Sequence, residues 1–98
     1  MRRFYLTPAA RADLDAIWEY TEQRWGTAQA ERYAQAIVEV CRALAARAYP
    51  DRDAGDVRPG YRKAPVGSHV LWFRRRPDGA PEVIRILHQR MDGPRHLT

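Results

Sequence analysis

The apolar positions of this chain change period twice. Arg2 to Leu6 is short, apolar and aromatic, which predicts a first strand. Thr7-Pro8 then reads as a helix start, a hydroxyl N-cap followed by proline at the first helical position. From there Leu14, Ile17, Trp18, Thr21 and Trp25 recur at spacings that make one face of an α-helix. Asp13 and Asp15 lie early in it, where a carboxylate suits the helix dipole. Gly26 is placed to end this helix, and Thr27 to cap a second one. The second helix would bury Ala30, Tyr33, Ala34, Ile37, Cys41, Leu44, Ala45 and Ala48, with Pro50 as its stop. So short a connection makes the two helices an antiparallel hairpin. Trp18, Trp25, Tyr33 and Cys41 read as core residues of this hairpin.

The second half follows the two-residue period of strands. Residues 50–60 are a polar connection rich in turn formers. Tyr61 to Pro65 predicts a short strand, His69 to Arg74 a longer one after a turn at Val66-Gly67-Ser68, and Glu82 to His88 the last, after Pro77-Asp78-Gly79. The chain closes with an irregular polar tail, 89–98. This order, β-α-α-β-β-β, predicts an α+β fold. The N-terminal strand and helical hairpin would pack on a mainly antiparallel four-stranded sheet, covering one face. The other face, carrying Arg and aromatic side chains, is expected to stay open. Alternation sets Trp72 and Arg74 on one face and Phe73 and Arg75 on the other, with one set available to a partner.

Composition narrows the class. At 98 residues and 45% hydrophobic, the chain is one domain, 1–98, with a modest core rather than a disordered tail. No run reaches the ~18 apolar residues of a bilayer span. Met1-Arg2-Arg3 imitates a signal-peptide start, but Arg11, Asp13 and Asp15 interrupt the apolar run that would follow. One cysteine makes no internal disulfide, so a cytoplasmic location is expected. One Cys and three scattered His predict no metal site, and no nucleotide loop or Ser/His/Asp order appears, so no cofactor is expected.

Charge is asymmetric. Residues 1–46 hold six Arg and six acids, whereas 47–98 hold eleven basic residues and six acids, so the second half carries the whole net charge of +5. An anionic partner, nucleic acid or acidic peptide, would account for this, and so would a merely solvated surface. Arg74-Arg75-Arg76 has the same two readings, a phosphate or carboxylate contact or a soluble strand end.

Leu6-Thr7-Pro8-Ala9-Ala10, Asp13-Leu14, Ile17-Trp18, Tyr20, Arg24-Trp25-Gly26 and Ala30-Glu31-Arg32-Tyr33 resemble the opening of ParE-type toxins of the RelE/ParE superfamily. The resemblance returns at Arg58-Pro59-Gly60-Tyr61-Arg62 and Pro65-Val66-Gly67-Ser68-His69. It closes over Ile86 to Leu97, whose run from His88, His-x-Arg-Met-Asp-x-Pro-Arg-His-Leu, is its most specific piece. Residues 47–57 match least.

The resemblance implies the toxin of a type II toxin–antitoxin module, neutralised by a ParD-like antitoxin whose C-terminal segment folds onto it in a heteromeric complex. Its target would be DNA gyrase, and it would be an inhibitor rather than an enzyme. The RelE branch shares the fold but cuts mRNA on the ribosome, so the activity rests on the site. Metal-independent RNA cleavage needs a base, a cation for the phosphorane and an acid. Lys63, Arg74, Arg85, His88 and Arg90 are the candidates for those roles, but the tyrosine that RelE-like tails usually carry is missing, since Tyr61 is the last. His88 reads equally as a strand-end histidine bonded to backbone or to Asp92. The binding reading assigns antitoxin or target contacts to Arg62, Trp72, Phe73, Arg74, Arg85, His88 and Arg90. A plain nucleic-acid-binding module is a third reading.

Overall fold

Thr7 sets where the first helix begins. In the computed structural model, which describes residues 3–97, a two-residue strand β1 (Tyr5–Leu6) precedes helix α1 (Pro8–Trp25). Thr7 Oγ1 accepts a hydrogen bond from Ala10 N–H at 3.1 Å, satisfying one free donor of the first turn. The same hydroxyl donates to Ile84 O at 2.8 Å, 77 residues away. The cap thus fastens the helix start to the last strand. The strand expected over Arg2–Leu6 is confined to its last two residues, and Arg2 lies outside the described residues.

Helix α2 (Thr27–Ala45) follows after one residue. Gly26, at φ 92°, donates its N–H to Glu22 O and accepts from Ala30 N–H, so one left-handed glycine ends the first helix and starts the second. Thr27 is therefore the first helical residue of α2, and its expected capping bond does not form. Nor does Pro50 stop α2. Ala48 N–H bonds Ala43 O, Arg47 N–H bonds Leu44 O, and Arg47 adopts φ 57°, which is a Schellman motif with arginine at the position glycine prefers. Ala48 lies past this stop and is exposed, against the expectation that it is buried.

The sheet has five strands where four were expected. Strand β2 (Arg52–Asp53) lies inside the polar connection and pairs with β3 (Tyr61–Val66); its two residues are too few to leave a period. Strands β4 (His69–Arg75) and β5 (Pro81–His88) complete the order β1-β5-β4-β3-β2. All pairs are antiparallel except β1 with β5. The register slips beside Trp72 and Phe73, whose partners are Arg85 and Val83, so Ile84 forms a bulge. Strand β1 covers β5 only at Glu82 and Val83.

Two cores result. Ile17, Ile37, Val40, Cys41 and Leu44 of the helices close on Leu71, Phe73, Val83 and Ile86 of one sheet face. The opposite face, expected to stay open, carries its own cluster of Ala54, Tyr61, Trp72, Leu87 and Leu97. The tail that read as irregular holds a short helix, α3 (Gly93–His96), and folds back over Trp72. A polar tail gives no hint of this, because the contact runs through Gly93 and Leu97. Among the described residues no helix is long and apolar enough to cross a membrane.

Two outcomes test this packing. A Cβ at Gly93 would sit 2.4 Å from Trp72 Cζ2, so Gly93→Ala should lower stability by about 1–3 kcal/mol in chemical denaturation. Burial pushes the Cys41 thiol up to about 12, so it should stay unreactive towards a thiol reagent in the native protein and react fully once unfolded.

Candidate partner-docking groove

A groove of about 580 Å³ opens between the helical hairpin and the free edge of β5. It exists because β1 stops at Leu6, leaving Arg85 to His88 without a strand neighbour on that side. Asp13, on α1, spans this gap. Its carboxylate accepts from Arg85 Nε at 2.7 Å, from Arg85 Nη2 at 2.9 Å and from the edge amide of Ile86 at 2.9 Å. A bidentate guanidinium–carboxylate pair is the strongest common form of charged hydrogen bond. It raises the Arg85 pKa above its ordinary value, so the guanidinium stays charged. Arg85 Nη1 also donates to His96 O, tying the tail to the same point.

The walls are aromatic and the rim is exposed. Ile17 and Thr21 form the α1 side, with Tyr20 and Trp25 at 57% and 63% exposure. Arg24 stacks its guanidinium 5.4 Å from both rings. Met91, 42% exposed, closes the far side. Trp25 was expected in the core; it lies instead in the last turn of α1, beside the groove. Trp18 and Tyr33 are half-buried.

At the α2 side Tyr33 hydroxyl lies 2.6 Å from His69 Nδ1 and accepts from Ser68 N–H at 3.0 Å. A Cβ at Gly67 would meet this tyrosine at 2.6 Å, and its φ of 54° favours glycine as well. His88 packs edge-on against His69, 5.4 Å between centroids, and its Nδ1 accepts from Arg90 N–H. The expected backbone bond of His88 is thus present. Burial, and then the nearby His88, lower the His69 pKa below its usual value, with Asp13 opposing.

The residues singled out from sequence are dispersed. Phe73 is fully buried beneath the helices and Trp72 is 7% exposed in the second cluster, so neither presents its ring to a partner. Alternation placed them correctly; the two cores claim both rings. Lys63 lies on the Trp72 face, its ammonium 5.5 Å from that ring. Arg74 and Arg76 share Glu82, at 3.0 and 3.2 Å, and Arg76 stacks 3.5 Å above Tyr5. Arg75 donates to Gly79 O and Leu44 O. Arg62 is paired with Asp51. Arg85 and His88 reach the groove, and Arg90 is exposed just past β5. Among the described residues no two side chains of Lys63, Arg74, Arg85, His88 and Arg90 hydrogen-bond one another. Sequence reasoning missed Asp13, Tyr20, His69 and Met91 as groove residues. The periodicity holds no signal for them, because their common surface is made by β5, far along the chain.

A helical hairpin on an antiparallel sheet whose first strand runs parallel beside its last is also the architecture of a solved toxin–antitoxin structure. A chain of "Chromosomal ParDE TA system from P. aeruginosa" superposes with a TM-score of 0.72 at 27% identity, covering 90% of this chain and 96% of that one. Toxin ParE1 of Mycobacterium tuberculosis is 44% identical over 95 residues, 97% of each chain. Toxin ParE1 of Caulobacter vibrioides is 42% identical over 100 residues, 99% of each. Residues 4–93 match the family described as ParE toxin of type II toxin–antitoxin system, parDE. The chain belongs to the ParE toxin family.

The lowered His69 pKa has a pH consequence. The unfolded chain takes up this proton more readily than the folded one, so stability is full above the ordinary histidine pKa of about 6.5 and falls as pH drops below it. Denaturant midpoints measured above and below that value should differ less in His69→Gln than in the parent chain.

Proposed function

We propose that this toxin is held inactive by a ParD-like antitoxin whose C-terminal segment seats in the groove between α1, α2 and the edge of β5, and that the freed chain inhibits DNA gyrase in the cytoplasm. The observation that carries the docking half is the edge of β5 that no strand covers, beside the exposed Tyr20, Trp25 and Met91. A strand edge that no strand covers, next to an apolar channel, suits either an added strand or an amphipathic helix. Large exposed rings around a half-open channel are the usual anchors of such interfaces. The complex would be heteromeric.

Inhibition rather than RNA cleavage is supported by how the candidate catalytic groups are engaged. Asp13 occupies Arg85, Glu82 occupies Arg74, and Lys63 lies against Trp72. General acid–base catalysis needs its groups free and convergent on one phosphate.

Purified chain incubated with gyrase and plasmid should accumulate cleaved DNA and block supercoiling, and its ParD-like antitoxin, sought in the reading frame beside it, should relieve both. Site-specific mRNA cuts with translating ribosomes, and no effect on gyrase, would replace this reading. Trp25→Glu should weaken antitoxin binding by about tenfold in calorimetry without moving the melting temperature, since the ring is a surface anchor.

A further inference from the structure

At the opposite end of α2 from the groove, a second cleft of about 410 Å³ is lined by Arg47, Tyr49, Asp51, Gly60, Arg62 and Arg75. Three guanidinium groups share it with one carboxylate. Arg75 forms one wall, its two terminal nitrogens donating to Gly79 O at 2.9 Å and to Leu44 O, at the last turn of α2, at 3.2 Å. Arg62 gives its Nε to Asp51 and holds Nη1 at 3.9 Å from Asp53. Arg47 makes no side-chain hydrogen bond or ion pair among the described residues.

Arg47 is the informative residue. It occupies the left-handed C′ position of the Schellman motif at φ 57°, a backbone angle strained for a residue with a Cβ. Glycine would remove that strain. An arginine there keeps a strain that glycine would avoid, offset only in part by the helix dipole, and it carries its guanidinium into a cleft that already holds two others. Like charges gathered in one cleft raise the local potential and attract an anion. The like-charge effect is visible at Arg75, whose pKa is lowered by burial first and by Arg47 next. Guanidinium forks fit the oxygens of phosphate bidentately, a geometry that lysine does not offer. Exposed Arg58, two residues before the cleft-lining Gly60, adds a further positive charge on the connection that forms this end of the cleft.

We propose that the Arg47–Arg62–Arg75 cleft is a phosphate-binding site that takes the sugar–phosphate backbone of a nucleic acid. The site is separate from the groove, and the inference does not rest on the antitoxin or gyrase reading.

The test is fluorescence anisotropy of a labelled short DNA duplex with the full chain, between about 50 and 200 mM salt. Arg47→Gly should weaken binding about tenfold and lower the salt slope by about 0.9, while the melting temperature stays equal or rises. Arg47→Lys, which keeps the charge without the fork, should recover only part of the affinity. Arg11→Ala removes an equal charge from the exposed side of α1 and should leave binding nearly unchanged. Equal losses in Arg11→Ala and Arg47→Gly would mean diffuse attraction and would overturn the site. Displacement of the duplex by polyglutamate as readily as by pyrophosphate would overturn the phosphate assignment. Pyrophosphate binding without duplex binding would overturn the nucleic-acid assignment.

Discussion

The carboxylate of Asp13 is the constraint on which the rest of this molecule depends. It faces a strand edge that no strand covers, and it takes three donors there: two from Arg85 and one from the backbone of Ile86. An edge amide left without a partner in a half-buried position is costly, as is an unpaired buried charge. Asp13 resolves both with one side chain. The same contact sets how closely α1 approaches β5, and so how wide the groove stands. Through Arg85 and His96 it also reaches the tail that covers the other face of the sheet.

Arginine is used here as a strut as much as a surface charge. Arg75 holds a carbonyl in the last turn of α2, Arg76 lies over Tyr5 while sharing Glu82 with Arg74, and Arg62 is paired with Asp51. A planar head with five fixed donors can satisfy several acceptors at once, which one ammonium cannot. Much of the positive excess of the second half is thereby tied into the fold. The groove beside α1 is correspondingly aromatic in character, whereas Arg47, which makes no side-chain hydrogen bond or ion pair among the described residues, lies in the cleft at the other end of α2.

Much of the architecture was legible along the chain, because it rests on local rules. The Thr7-Pro8 start, the single-glycine hinge at Gly26 and the turn at Pro77-Asp78-Gly79 each depend on the backbone preferences of a few adjacent residues. The helix faces and the two long strands followed from period alone. The family resemblance, spread over nearly the whole chain, agreed with the order of elements. The candidate site was legible only in part: Arg85 and His88 lie on the groove, whereas Trp72 and Phe73 are core.

What the sequence determined by itself was therefore the set of elements, their order, and which side chains share a face, since these follow from φ/ψ preferences and spacing. Only the tertiary structure decided which faces stay wet. The tail covered part of the sheet face that composition left open, through the close approach of Gly93 to Trp72. Trp25 was left in solvent because α1 ends beside the open groove, and the second helix stopped at Arg47 because a Schellman motif formed there, short of Pro50. Each of these outcomes depends on contacts between residues far apart in the chain or on a strained backbone angle. Neither quantity is written in any local pattern of hydrophobic and polar residues.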